Sequence, residues 1–380
     1  MSKTICIIRS NAVDPDSRVE KEASSLKKMG YNVLILAWDR SSNHDLTHQL
    51  INVYNQKIDI YRFGYKAQFG AGMKSIIPYL KFQISQFRWL IFNKNSFDAI
   101  HACDFDTAFF AGLANLFIKK KFIFDIFDFL YGKPQNIIQK IVKKIQIFII
   151  NRADATIICT EKRKKQIKLA NPKNLVIIHN TPILNKDSNY FYIKNGDIRN
   201  RKVKIVYVGV LQDYRLLKEI GEVVKNNSKY ELHIGGYGKF EHYFKKLSNK
   251  YNNIIYYGKL SYEKTLCLEK ECDIMLAIYD PKIENHYYAA PNKFYESLML
   301  GKPLIMVENT GMSEYIKKFK IGELIEFSPD SFKLGIDRLV SREKEWPYIS
   351  DSMRQIYQEE FRWEVMENRL SKLYEKIFQN

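Results

Sequence analysis

The chain has 380 residues, 46% of them hydrophobic and 14% aromatic, with a formal net charge of +18. That length exceeds one ordinary core and fits two α/β domains, and the apolar content excludes wholesale disorder. Five scattered cysteines (Cys6, Cys103, Cys159, Cys267, Cys272) without a C-x-x-C pair exclude a disulfide framework and a zinc site and read as reduced thiols.

No stretch approaches the roughly 20 apolar residues of a spanning helix, and the N-terminus reads as a strand rather than a secretory leader. The expectation is a cytoplasmic protein, either soluble or peripheral on the inner face of the cell membrane. The charge is uneven: residues 1–190 carry 29 Lys and Arg against 15 Asp and Glu, and the rest 31 against 27. A basic N-terminal half points to an anionic partner. A Lys-, Ile- and Asn-rich composition accounts for it equally.

In chain order, Thr4–Ile8 is a short apolar run, and a polar loop over Asn11–Asp16 leads into a helix. Ser17 and Glu20 have the spacing of a capping box, Val19, Ala23 and Leu26 line one face, and Gly30 ends the helix before a strand at Val33–Trp38. Further strands are expected at Ala99–Ala102, Lys121–Phe124, Ala155–Cys159 and Leu175–Ile178, followed by a polar linker over 184–202. A second series starts at Val203–Val208 and continues at Glu231–Ile234, Ile254–Tyr257, Ile274–Ile278 and Leu304–Val307, with helices at about 214–225, 239–250, 262–271 and 292–300 and closing helices over 351–378. Alternating strands and helices imply two doubly wound parallel-sheet domains, which bind ligands at the carboxyl ends of their strands.

The densest chemical signal runs from Ala289 to Pro303. Asn292 is a candidate N-cap, Gly301 a helix terminator, and Pro303 prevents continuation. The opening turn of such a helix suits a diphosphate, and Glu296, one turn inside, suits vicinal hydroxyls such as those of a ribose. A capped surface helix with a solvated glutamate accounts for the same residues.

The segment Pro291-Asn292-Lys293-Phe294-Tyr295-Glu296, closed by Gly301-Lys302-Pro303, resembles the signature of the GT4-type (group 1) glycosyltransferases. Tyr207-Val208-Gly209 followed by Arg215-Leu216 is similar to that family's glycine loop and its basic residue. Leu232 to Gly238, with Gly236, and Tyr257-Gly258-Lys259-Leu260-Ser261-Tyr262 resemble its nucleotide-side loops. Arg152-Ala153-Asp154-Ala155, His179-Asn180-Thr181-Pro182 and Phe361-Arg362-Trp363 resemble its other landmarks.

The resemblance implies a GT-B fold, with residues 1–190 an acceptor-side domain, 191–359 a donor-binding domain, and a C-terminal helix over 360–380 packing back on the first. It implies a retaining, metal-independent hexosyl- or N-acetylhexosaminyl-type transferase using a UDP- or GDP-linked sugar and a glycan or lipid-linked acceptor, in bacterial capsule or O-antigen synthesis. Gly209, Gly236, Gly258, Leu260, Pro291, Asn292 and Glu296 would hold the donor, and Arg215 and Lys293 its leaving diphosphate.

The chain departs from the pattern at Tyr288, where the family has a glutamate, at Val210, where it often has a basic residue, and at Phe127, where a histidine is common. Asp104 and Asp128 are the candidates for the acceptor side. Asp104-Phe105-Asp106 matches a D-x-D metal motif, but the resemblance is to a metal-free class, and the seven histidines show no ligand spacing. Arg18 is expected to meet an anionic acceptor or to pair with Glu22 on the helix surface.

Ser75–Asn93 and Asn136–Arg152 read as basic amphipathic helices; the first is expected at an anionic bilayer, the second more readily in the core. A nucleotide-sugar epimerase and a non-catalytic nucleotide-sugar or glycan-binding subunit are the competing readings. Nucleic-acid binding has only the charge in its favour.

Overall fold

The computed structural model describes residues 2–68, 75–183 and 201–379, so residues 184–200 of the expected linker lie outside the described residues. The chain divides into two compact units, Met1–Asn180 with Met366–Asn380, and Thr181–Val365.

The first unit holds β1 (Thr4–Arg9), α1 (Ser17–Lys28), β2 (Asn32–Asp39), β3 (His44–Val53), β4 (Gln56–Gly64), α2 (Ile76–Phe92), β5 (Ala99–Cys103), α3 (Asp104–Ile118), β6 (Lys121–Ile126), α4 (Ile137–Arg152), β7 (Ala155–Ile158) and β8 (Leu175–Ile177). Its sheet runs β3-β4-β2-β1-β5-β6-β7-β8, parallel except for β3. The central strands are buried along their length, as expected where helices cover both faces. The β3–β4 hairpin escapes the sequence reading because β3 is mostly exposed and lacks an apolar alternation. Its two-residue turn, Tyr54-Asn55, has both φ angles positive, the geometry that tight hairpins need.

Two local expectations are corrected. Asp16, not Ser17, caps α1 by accepting from the Val19 N–H, while Glu20 accepts from the Asp16 N–H. Arg18 is neither on the surface nor open to a ligand: it is 3% exposed, bound to Asp125 at 2.7 Å and to the Ile178 carbonyl at 2.8 Å, with Glu22 at 3.2 Å. His101 lies 3.4 Å from Asp125 and meets the Tyr374 hydroxyl at 2.8 Å, which ties the last helix to the first sheet. Burial and the neighbouring Asp125 push the Glu22 carboxyl well above its usual range. Burial also opposes the charge of Asp125, but Arg18 and His101 outweigh it and hold that carboxyl low. One guanidinium therefore neutralises one buried carboxylate.

The second unit holds β9 (Val203–Val210), α5 (Leu217–Lys225), β10 (Tyr230–Tyr237), α6 (Glu241–Lys250), β11 (Ile254–Tyr256), α7 (Tyr262–Glu271), β12 (Ile274–Ala277), α8 (Glu284–Tyr287), α9 (Asn292–Leu300), β13 (Leu304–Val307), α10 (Ser313–Phe319), β14 (Gly322–Ile325), α11 (Pro329–Ser341) and α12 (Trp346–Ile356), and α13 (Trp363–Gln379) begins within it. Its sheet is wholly parallel in the order β11-β10-β9-β12-β13-β14. The order reverses between β9 and β12 here, and between β1 and β5 in the first unit. Helices on the two sides of such a switch point leave opposite faces, so a crevice opens at the carboxyl ends of those strands.

Arg18→Met leaves the buried Asp125 without its guanidinium partner, with only His101 beside it. A loss of about 3–5 kcal/mol is expected, read as a fall in urea midpoint with unchanged slope.

Candidate functional site

In the second unit, β9 delivers Gly209 to the switch point. Gly209 has φ +157°, and a Cβ there would sit 2.9 Å from the Lys293 ammonium. Gly236, at the end of β10, has φ +136°, and a Cβ would lie 1.8 Å from the Gly209 carbonyl oxygen, so the two strand ends touch backbone to backbone. The Gly236 N–H donates to the Gly258 carbonyl at 2.7 Å. Leu260 packs beside Gly235. The structure thus brings Gly209, Gly236, Gly258 and Leu260 into one rim.

Arg215 lies in the loop before α5 rather than on it, between Tyr214 and Leu216, both at left-handed φ. That backbone costs energy for bulky residues and turns the chain sharply at this point. The Arg215 guanidinium stacks on Tyr279, 3.9 Å from the ring centroid, and its Nη1 is 2.9 Å from His286 Nε2. The other His286 nitrogen meets the Asp280 carbonyl, which fixes the ring.

Lys293 reaches the same place from α9, its ammonium 4.7 Å from the Tyr207 ring centroid. The Tyr207 hydroxyl interacts with both cations. Burial works against the charge of Lys293, yet Tyr207, Tyr279, Glu296 and Glu269 together raise its pKa above the ordinary lysine value.

Pro291, not Asn292, occupies the cap position of α9; Asn292 is the first helical residue, and no side chain caps the opening turn. Gly301 ends the helix at φ +66°. Glu296 is 4% exposed, not a solvated surface carboxylate. Tyr262, at the start of α7, donates its hydroxyl to Glu296, and burial together with Glu296 raises that phenol's pKa. Glu269 lies near both, buried, with Oε2 unpartnered. Burial first, and Glu296 second, push its carboxyl well above the usual range against the pull of Lys293. Glu269, Tyr279 and His286 are contributors that sequence reasoning did not single out, and Tyr207 and Tyr262 stood in its motifs without a role of their own. Tyr288 stands in a T-shaped contact with Tyr287 and brings no carboxylate.

The first unit has its own cavity at the β1–β5 switch point, about 420 Å³, lined by Arg9, Ser10, Asn11, Arg40, Asp104, Phe105, Asp106, Asp128 and Leu130. Both acceptor-side candidates line it. Asp104 is a brace: it accepts from Arg9 at 2.5 Å and from the Phe127 and Asp128 N–H groups at 2.9 and 3.1 Å. Burial, reinforced by Asp106, lifts its pKa to about 6 in spite of Arg9. Asp128 is more open, its side chain 58% exposed and held by Arg163 at 2.8 Å. The two carboxylates of the D-x-D pattern diverge, Asp104 to Arg9 and Asp106 to Ser10 and the Thr107 N–H. Phe127 lies under two guanidinium groups, Arg9 at 4.3 Å and Arg18 at 4.5 Å from its ring centroid.

Residues 190–356 match the family model described as glycosyl transferases group 1. An uncharacterized glycosyltransferase of Methanocaldococcus jannaschii is 25% identical over 186 residues, 46% of this chain and 46% of the relative. The match therefore spans about half the length of that curated relative. Among solved structures, sucrose-phosphate synthase from Thermosynechococcus elongatus superposes with a TM-score of 0.76 at 14% identity, over 99% of both chains. Anabaena HepE, in complex with UDP and glucose, gives 0.69 at 11%, over 98% of this chain and 100% of that one. The trehalose 6-phosphate synthase of Burkholderia multivorans gives 0.71 at 12%, over 100% and 99%. At these identities the likeness shows the fold, which is GT-B.

The buried Glu269 yields a signed expectation. Its folded pKa lies above the unfolded value of about 4.3, so the native state holds the proton longer. Its contribution to stability is full at pH below about 4.3 and is lost as pH rises toward the folded pKa. Glu269→Gln removes that loss, so thermal melts should show the variant gaining on the parent between pH 5 and pH 8. A constant gap across that range would refute the assignment.

Proposed function

We propose that this chain, which belongs to the group 1 glycosyl transferases through its second unit, moves a sugar from a nucleotide-diphosphate sugar to an acceptor with retention of configuration. The observation that carries the reading is the convergence of Arg215 and Lys293 on the Tyr207 hydroxyl, with Lys293, in the opening turn of α9, lodged against Gly209 and Glu296 buried one turn inside. In the reaction the bond between the anomeric carbon and the diphosphate oxygen breaks and a bond to the acceptor oxygen forms on the same face. The acceptor's hydroxyl proton leaves with the released phosphate oxygen. Negative charge grows on the diphosphate as the bond lengthens, and cations fixed in place stabilise that state more than the ground state. Arg215 and Lys293 supply this charge from the protein, and on that account the reaction is metal-independent. Glu296 takes the ribose hydroxyls, with Tyr262 orienting it.

The first unit's cavity, with Asp128 the more accessible carboxylate, is the acceptor-side counterpart in this reading. The donor is a UDP- or GDP-linked hexose or N-acetylhexosamine, and the acceptor is a glycan or lipid-linked glycan of bacterial surface polysaccharide. The protein works in the cytoplasm at the inner face of the membrane. That no helix among the described residues is long and apolar enough to cross a membrane is consistent with a peripheral position.

Calorimetry with UDP and GDP tests the site. One nucleotide should bind, and Glu296→Ala should weaken it by about 1–3 kcal/mol, roughly 5- to 150-fold, with the fold intact. Arg215→Ala and Lys293→Ala should each lower turnover of the matching nucleotide sugar more than they raise KM, and EDTA should leave the rate unchanged. Undiminished UDP or GDP affinity in the Glu296 variant would remove that residue from the site.

A further inference from the structure

We infer that the outer face formed by α2, α3 and α4 of the first unit is the surface on which the protein docks to an anionic lipid bilayer. This deepens the peripheral-membrane part of the reading above and is independent of the donor site. The three helices pack side by side. Phe87 of α2 meets Phe117 of α3 edge to face at 6.4 Å between ring centroids. Leu113 and Leu116 of α3 share an apolar groove of about 230 Å³ with Ile145, Phe148 and Arg152 of α4. Contact with neighbours therefore runs across the face without a break.

That face is apolar where a surface is normally polar. Ile77 is 65%, Phe117 73%, Ile137 68% and Phe148 55% exposed, with Leu80, Ile84, Leu116 and Ile141 beside them. Single exposed hydrophobics need no explanation, but a continuous set on three adjacent helices marks an interaction surface. Charge selects the partner. α2, α4 and α3 from Thr107 onward carry no Asp or Glu and six Lys or Arg: Lys81, Arg88, Lys140, Lys143, Lys144 and Arg152. A protein partner would tolerate mixed signs. With the acidic residues of α3 confined to its cavity end, at Asp104 and Asp106, and long cationic side chains among Ile and Phe, this face fits the headgroup region of an anionic leaflet, where each cation contributes about 1 kcal/mol and apolar side chains enter the acyl boundary. The amphipathic reading of 136–152 divides the helix in two: Ile149 and Ile150 of α4 pack in the core with Ile145 against them, while Ile137, Ile138, Ile141 and Phe148 stay exposed. α3, which sequence reading passed over, lies between the other two.

Sedimentation of the full-length chain with vesicles tests this, comparing phosphatidylglycerol mixed into phosphatidylcholine with phosphatidylcholine alone. The parent should pellet with the anionic vesicles, release at high salt, and stay in solution with neutral ones. Phe117→Asp with Phe148→Asp, and separately Lys140→Glu with Lys144→Glu, should each weaken binding roughly tenfold or more while urea midpoints hold. Parent protein that stays in solution with phosphatidylglycerol vesicles, variants that bind as the parent does, or a stable dimer that these substitutions dissociate would each overturn the assignment. UDP or GDP binding by the same preparations reads the donor site separately, so loss of vesicle binding alone leaves that reading standing.

Discussion

A lysine ammonium lodged against a glycine organises the second unit. Lys293 fills the space a side chain on Gly209 would take, and the Gly236 backbone closes on the Gly209 carbonyl from the neighbouring strand. The cation is kept charged by phenols and carboxylates on three elements: Tyr207 on β9, Glu269 on α7, and Glu296 one turn along its own helix. Each of these groups is costly alone in a low-dielectric setting, and each is tolerated because the others are there. Substitution at Gly209 or Gly236 would thus act on the charge cluster as much as on the backbone.

This cluster also explains why a helix as short as α9 can contribute. Nine residues give little intrinsic helical stability. The helix is buried from Phe294 to Leu300, and Gly301 fixes its end against the Ser350 hydroxyl of α12. Phe294 and Tyr295 both pack on Phe361, in the irregular turn before α13. The opening turn is held by the far end of its own helix, which leaves its first N–H groups without side-chain capping.

Much of this was legible in the sequence, and the reasons for the exceptions are specific. Alternating apolar runs gave nearly all the central strands, because a parallel strand buried on both faces has no polar interruptions. The end of α9 followed from Gly301 and Pro303, residues whose backbone constraints act locally, whereas the cap was read at Asn292 and lies one residue earlier, at Pro291. β3 did not follow, since an exposed edge strand obeys pairing rather than burial. Arg18 and Glu22 read as a surface i,i+4 pair because their shared partner, Asp125, is more than a hundred residues away. Glu269 sits in the run Glu269-Lys270-Glu271, which looks solvated, although its place on the helix puts it with buried Leu266. His286 and Tyr279 serve Arg215 through a loop whose shape no local pattern encodes.

In the first unit, one helix joins two features that the sequence kept apart. α3 opens at Asp104, on the cavity, and its last turns carry Leu113, Leu116 and Phe117 on the outer face. Thirteen residues of helix place Asp104 and Phe117 about 20 Å apart along the axis. Asp104 itself is pinned by Arg9 and by the backbone after β6, so the helix cannot shift at its cavity end without breaking that brace. A bilayer gripping the far end would be coupled to the cavity through a rigid rod rather than through a loop. An acceptor carried on a lipid would then meet a cavity whose height above the membrane is set by helix length, and neither the apolar face nor the bracing aspartate could change without altering what reaches the other.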